Sequence, residues 1–163
     1  MTRFALPLLL SLALPAAAAE AALTISKSQS TAWDPLNGSL LPKAVPGAQI
    51  DYVITVSNAL FQSTARGVTI TDAIPSRVSF HVGTGNPVTV TIGALSGLTY
   101  SYTSLSSSSD GLDFSNDNGA TWTYTPVAGA DGSDPNVTNI RVRTGGSQVA
   151  GDSFTIRFRA VVK

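Results

Sequence analysis

The sequence predicts an all-β fold, an antiparallel β-sandwich of about 8–10 strands, and three observations lead to this prediction. Apolar and polar residues alternate in many short runs, which is the pattern of half-buried strands. Clusters of Gly, Pro, Asn and Ser bound these runs and favour turns. Charged residues make up only 12% of the chain, about half of the usual share. No window shows convincing helical periodicity, so helices are not expected.

Each candidate strand carries two or more apolar residues on one face. In chain order they are Leu23 with Ile25; Tyr52, Ile54 and Val56; Val68 and Ile70; Val78, Phe80 and Val82; Val88, Val90 and Ile92; Leu98, Tyr100 and Tyr102; Trp122 and Tyr124; and the segments 137–143 and 154–162. One-sided strands pack as two layers whose apolar faces meet. Because no repeat of fixed period is present, we expect a sandwich rather than a propeller or a solenoid.

Residues 1–19 have the composition of a secretory signal peptide. A basic start precedes the apolar run Phe4–Leu14, and Ala17–Ala19 fits a small-residue cleavage site before Glu20. The apolar run is too short to span a bilayer, which needs about 20 residues. We therefore expect residues 20–163 to be one secreted domain, periplasmic, on the cell surface or extracellular, without a transmembrane segment.

The composition excludes several classes of function. The chain has no cysteine, which rules out disulfides, thiol catalysis and cysteine metal sites. Its formal net charge is zero, so no overall field steers it toward nucleic acid or anionic membranes. Specific nucleic-acid recognition is not expected.

The segment from Pro46 to Phe80 resembles a repeat family of bacterial and archaeal surface proteins, catalogued as "domain of unknown function" number eleven. The matching positions are Tyr52, Ile54, Val56 and Asn58, followed by Val68, Ile70, Asp72, Ile74 and Pro75. The segments 114–126 and 154–163 are also similar to this family, so the resemblance covers most of the mature chain. One departure is Ala59-Leu60-Phe61, which replaces the usual glycine after Asn58.

The resemblance implies an immunoglobulin-like sandwich that serves as a building block of surface proteins. It brings no catalytic residues, because the family has none assigned. Relatives mostly carry the domain in tandem arrays, whereas this chain holds one copy. The leading expectation is a secreted, non-enzymatic structural or adhesive module.

Two of the matched polar residues have structural interpretations. Asn58 ends a strand, and its side chain can bond its own backbone in a turn. Asp72 is in register with the inward face of Val68 and Ile70, where an unpaired carboxylate would be costly. We interpret Asp72 as a turn clamp that accepts backbone N–H groups; a ligand or catalytic group is the alternative.

The segment from Ser115 to Trp122 matches the Asp-box pattern S-x-D-x-G-x-T-W. In the expected hairpin, Asp117 caps N–H groups, Gly119 supplies a positive φ, and Trp122 plugs the turn onto the core. The pattern is known from sialidase-like propellers, but one copy cannot build a propeller. We therefore interpret it as a structural hairpin.

Catalytic constellations are scarce. Glycoside hydrolysis needs two facing carboxylates, yet Glu20 is the only Glu and the Asp residues fall mostly in loops. His81, predicted to face outward, is the only histidine and hence the single candidate base for a Ser nucleophile, and no Cys nucleophile exists. No phosphate-binding or dinucleotide fingerprint is present. We expect neither an enzyme nor a cofactor.

Asp110, Asp113 and Asp117 are weak candidates for a calcium site. Counted from Asp113, the glycine that a calcium loop requires comes one place late, and Tyr124 replaces the final Glu. A solvated Asp-Gly loop is the preferred interpretation.

Four arginines near the C-terminus are candidates for polyanion binding. Arg141 and Arg143 share one strand face, as do Arg157 and Arg159. If the two strands pair across the loop 144–151, all four crowd one outer face, where like charges destabilise a sheet. Either nearby Asp residues compensate, or the strip binds an extracellular polyanion.

Two alternative functions stay open. Signal cleavage would free the apolar strand around Leu23 and Ile25, which could complete a neighbour's sheet and make the chain a filament subunit. The other alternative is a weak glycan-, polyanion- or calcium-dependent binding protein. Expected partners are copies of the chain, other surface proteins or extracellular polysaccharide.

Overall fold

The computed structural model describes residues 22–163. The predicted signal peptide, residues 1–19, and the cleavage site before Glu20 lie outside the described residues. Within residues 22–163 every regular element is a β-strand, and every strand pair is antiparallel, which confirms the all-β prediction. The same range holds no helix long and apolar enough to cross a membrane. The strands are β1 (Leu23–Trp33), β2 (Gln49–Asn58), β3 (Ala65–Arg66), β4 (Thr69–Ala73), β5 (Val78–His81), β6 (Val88–Ile92), β7 (Leu112–Ser115), β8 (Ser133–Asp134), β9 (Asn139–Arg143), β10 (Ser147–Gln148) and β11 (Ser153–Val162).

The strands form two main sheets of unequal width. The wide sheet has the order β1-β2-β11-β5-β8, with β6 also paired to β11. The narrow sheet has the order β4-β9-β7, and β3 with β10 makes a small separate ladder. The inward faces of the two sheets meet, so the fold is sandwich-like.

Alternating burial shows how the core forms. Every second residue of β2 is buried, from Ile50 to Asn58, because period-two side chains reach opposite faces of a sheet. The rings of Tyr52 and Phe158 stack 5.1 Å apart within the wide sheet. Phe80 meets Phe114 of the narrow sheet edge-on at 5.5 Å, so aromatic contacts join the two layers.

β5 and β6 lie end to end along one edge of β11. β5 pairs with Ala160–Val162 and β6 with Phe154–Phe158, in the same direction. The chain leaves this edge after His81 and returns at Val88. The excursion 82–87 therefore interrupts one long edge without changing the register of β11.

Two predicted strands are not strands. Leu98–Tyr102 is irregular apart from one bridge, Thr99 to Gly145, and Trp122–Tyr124 contributes only the bridge from Tyr124 to Phe114. Their alternation reflects irregular segments with one side toward the core: Leu98 is buried, and Tyr100, Tyr102 and Tyr124 pack against the core.

The expected pairing of the two arginine-bearing strands is wrong. β9 pairs with β4 and β7 in the narrow sheet, whereas β11 pairs with β2, β5 and β6 in the wide sheet. The connection between them contains β10, which pairs with β3. Because the chain crosses between the layers here, adjacent strands in sequence do not form a hairpin.

Candidate functional site

The four arginines lie on opposite faces of the sandwich. Ile140 and Val142 are buried, so Arg141 and Arg143 point outward from the narrow sheet. Arg157 and Arg159 point outward from the wide sheet, which is the other side of the molecule. They therefore do not form the single strip on which the polyanion prediction depended.

Three of these four guanidinium groups have carboxylate partners. Asp113 of β7 is almost fully buried, and its Oδ2 accepts from Arg141 Nε at 2.9 Å and from Arg143 Nε at 2.7 Å. Arg159 Nε donates to Asp51 Oδ1 at 2.6 Å, across adjacent strands. Compensation by nearby aspartates is thus the alternative that the geometry favours.

The segment from Ser115 to Trp122 forms a turn organised by Asp117. Its Oδ1 accepts from the Ser115 hydroxyl at 2.6 Å and from the Thr121 N–H at 2.9 Å, and its Oδ2 accepts from the Thr121 hydroxyl at 2.7 Å. Gly119 has φ of 84°, which favours glycine. The bonds from the Ser115 hydroxyl and from the Thr121 hydroxyl and N–H together lower the pKa of Asp117 to about 2. The carboxylate is a turn clamp.

Trp122 is not the core plug that the Asp-box pattern predicted. It is half-buried and lies outside the buried cluster. Its ring stacks on the Arg141 guanidinium, with Arg141 Cζ 4.6 Å from the ring centroid. Since Arg141 points outward from β9, Trp122 covers the outer face of the narrow sheet and shields the Asp113 ion pairs.

The three calcium candidates do not converge on one point. Asp110 accepts the N–H groups of Thr103 at 2.8 Å and Leu112 at 3.1 Å. Asp113 is engaged by arginines, and Asp117 by its own turn. Residues 22–163 contain no group of three or more His, Cys, Asp or Glu side chains that could hold a metal ion.

Asp72 is not a turn clamp. It lies on the inward side of β4, as predicted, but its Oδ2 accepts from Lys27 Nζ of β1 at 2.5 Å. Lys27 Nζ also lies 4.8 Å from the centre of the Tyr52 ring. The carboxylate is therefore satisfied by an ion pair that crosses from one sheet to the other, and not by backbone N–H groups.

Asn58 bonds the backbone of the loop that follows β2, and it also joins this loop to β10. It is 1% exposed, and its Nδ2 donates to the carbonyls of Ser63 at 2.9 Å and Gln148 at 3.1 Å. Gln148, which is fully buried, donates in turn to the Val56 carbonyl at 3.0 Å. These amides bind the end of β2 to β10, a long-range contact that sequence reasoning could not locate.

Asp34 is a structural turn residue that the sequence reasoning missed. It is fully buried and accepts the N–H groups of Leu36 at 2.7 Å, Asn37 at 2.7 Å and Lys43 at 2.6 Å. Burial alone would raise its pKa, but the hydrogen bonds from the Asn37 side chain and from these three N–H groups outweigh burial and lower the pKa to about 2. The signal was the D-P-x-N-G composition of a turn.

His81 is held away from solvent. It follows buried Phe80 on β5 and is half-buried, with a buried Nδ1 that has no hydrogen-bond partner among the described residues. Burial, and next the positive charge of Arg159, lower the pKa of His81 below its usual 6.5. No Ser hydroxyl or carboxylate bonds the imidazole within residues 22–163, so the geometry offers no nucleophile–base pair.

All nine aspartates of the described chain accept at least one hydrogen bond, although the buried Oδ2 of Asp152 has no partner within residues 22–163. Six of them clamp turns or loops (Asp34, Asp110, Asp117, Asp131, Asp134 and Asp152), and three form ion pairs (Asp51, Asp72 and Asp113). A catalytic acid or base must reach a substrate proton, and a metal ligand must face an open position. The described carboxylates are engaged in holding the fold.

Comparison with family models, with curated proteins and with solved structures found no match to this chain. The resemblance to the surface-protein repeat family therefore stays a prediction that rests on the residues from Pro46 to Phe80.

Proposed function

We propose that the protein is a secreted, non-enzymatic structural or adhesive module of the cell surface, built as an immunoglobulin-like sandwich. One observation carries this proposal: every described aspartate is engaged in a turn clamp or an ion pair. A chain with such carboxylates, one half-buried histidine and no cysteine offers stability rather than chemistry.

Two further features support this function. The two antiparallel sheets and their aromatic contacts agree with the immunoglobulin-like architecture that the family resemblance implies. The surface between the charged groups is rich in Ser and Thr, as on the exposed side of β1. The proposed cleavage of residues 1–19 would deliver residues 20–163 to an oxidising compartment, where a chain without thiols has no redox chemistry.

Secretion is tested by expressing the tagged chain in its source cell beside a control chain that lacks residues 1–19. We expect the full chain in the extracellular or envelope fraction, with an N-terminus near Glu20 or Ala22 by sequencing, and the shortened chain in the cytoplasm. Equal distribution of the two chains would contradict the proposal.

The non-enzymatic role is tested in the same cells by deleting the gene and measuring surface attachment and envelope integrity. We expect the defect to be restored by the wild type and equally by the His81→Asn variant, because no step would need a base. A defect that His81→Asn fails to restore, with the variant folded and secreted, would point to chemistry instead.

A further inference from the structure

β1 is attached to the sandwich without being part of its core. It runs antiparallel to β2 over its full length, yet none of its residues is buried. The buried cluster draws its members from β2 onward, and only Leu23 of β1 packs against it from outside. The buried side chains of the core therefore all come from parts of the chain other than β1.

The inward face of β1 is uncovered because the narrow sheet ends at β4. Ile25 shares this face with buried Val56 through the register, but its own side chain is 56% exposed. Next to it a groove of about 820 Å³ runs between Gln29 and Thr31 on one side and Pro75 and Arg77 on the other. Lys27 lies on the same face of β1 and reaches the narrow sheet through its ion pair with Asp72.

The connection from β1 to β2 begins with a turn held by Asp34, and this turn contains the strained residue Leu41. Asp34 fixes the turn as far as Lys43, so this turn can move together with β1. Leu41 has φ of 51° and is 83% exposed, although it is not glycine and precedes Pro42, a position that favours extended backbone. Such strain persists only where the surrounding structure imposes it.

We propose that β1 exchanges between copies of this chain, so that β1 of one copy pairs with β2 of another. The inference rests on the proposed structural role and names its partner, a second copy. The register explains why a second copy is the partner. Its identical β1 would reform every β1–β2 pair and the bond from Lys27 to Asp72. A one-residue slip would turn Lys27 outward, so this ion pair also sets the register between copies.

Each copy both donates and accepts one strand. Reciprocal exchange closes a dimer, and one-way exchange continues into an open array. Within one chain the effective concentration of β1 is in the millimolar range, so exchange competes only when the protein is crowded, as on a surface. The exchanged form needs no contact that the single chain lacks.

Cysteine trapping tests the exchange, because the chain contains no cysteine of its own. Ser26 of β1 lies opposite Thr55 of β2 on the outer face. The Ser26→Cys and Thr55→Cys variants, one carrying a mass tag, are mixed, refolded together from urea at about 1 mM, and oxidised. We expect a covalent heterodimer that forms several-fold more than in the control and that increases with concentration.

The matched control mixes Thr55→Cys with Ser108→Cys, whose exposed loop position lies in no strand and reports random collisions. If either β-strand variant unfolds, Ser28→Cys with Val53→Cys repeats the test at the next pair on the same face of the two strands. Heterodimer no more abundant than in the control, with folded variants, would overturn the proposal. This result would leave the secretion and rescue experiments unaffected, so the two proposals can fail separately.

Discussion

β1 and β11 pair with opposite sides of β2, and they differ in the contacts that hold them there. Both run antiparallel to β2 in ladders of similar length. β11 places Phe154, Ile156 and Phe158 in the core, whereas no residue of β1 is buried. β1 is thus positioned by its ladder, by the ion pair of Lys27 and by the partial packing of Leu23, while β11 adds extensive apolar burial to its ladder. Pairing defines where a strand lies, but burial determines how much its side chains contribute to stability.

The largest effect is expected in β11. Phe158 is 2% exposed and stacks on Tyr52, so Phe158→Ala removes apolar contacts and leaves a cavity. We expect a loss of about 3–5 kcal/mol in the free energy of unfolding, measured by urea titration. A loss below about 1 kcal/mol would show that the core is not closed around this ring.

The second-largest effect is expected at acid pH, where β1 and β11 should differ in amide exchange. The pKa of Asp34, immediately after β1, is about 2 in the folded chain, below its ordinary value of 3.8. Since the folded pKa is the lower one, Asp34 contributes stability above pH 3.8 that is lost as the pH falls toward 2. We expect amide exchange in β1 to rise over this range before exchange in β11. In Asp34→Asn this rise should be flatter, and an unchanged rise would mean that Asp34 does not hold the β1 connection.

The smallest effect is expected for the inward face of β1. Ile25→Thr keeps a β-branched side chain at an exposed strand position, so unfolding by urea should change by no more than about 0.5 kcal/mol. A larger loss, above about 1 kcal/mol, would mean that Ile25 is covered in solution.

The same difference explains what sequence patterns could reveal. β2, β6 and most of β11 alternate because one face is buried, and these strands were predicted. The second half of β1 was not predicted: Lys27 to Thr31 is polar on both faces, because neither face is covered. β7 was missed for another reason: Leu112 and Phe114 do alternate with Asp113 and Ser115, but the run is only four residues long and the aspartates in and around it favoured a loop.

Polar contacts between distant segments were beyond sequence reasoning. The turn formed by Asp117 depends on neighbours within four residues, so its pattern could be recognised. The partner of Asp72 is 45 residues away in β1, and no local signal identifies it. Trp122 was misplaced because its motif predicts a turn but not which side of the sheet the ring covers.

The loop 82–87, between β5 and β6 on one edge of β11, is a place where the chain can vary in length. β5 and β6 are each held by their own pairs with β11, and Thr84–Asn86 between them is exposed. The ends of this excursion are thus fixed independently of its length, and loops of this kind tolerate added residues. New sequence could be displayed there, on a domain whose sheet neither lengthens nor shifts.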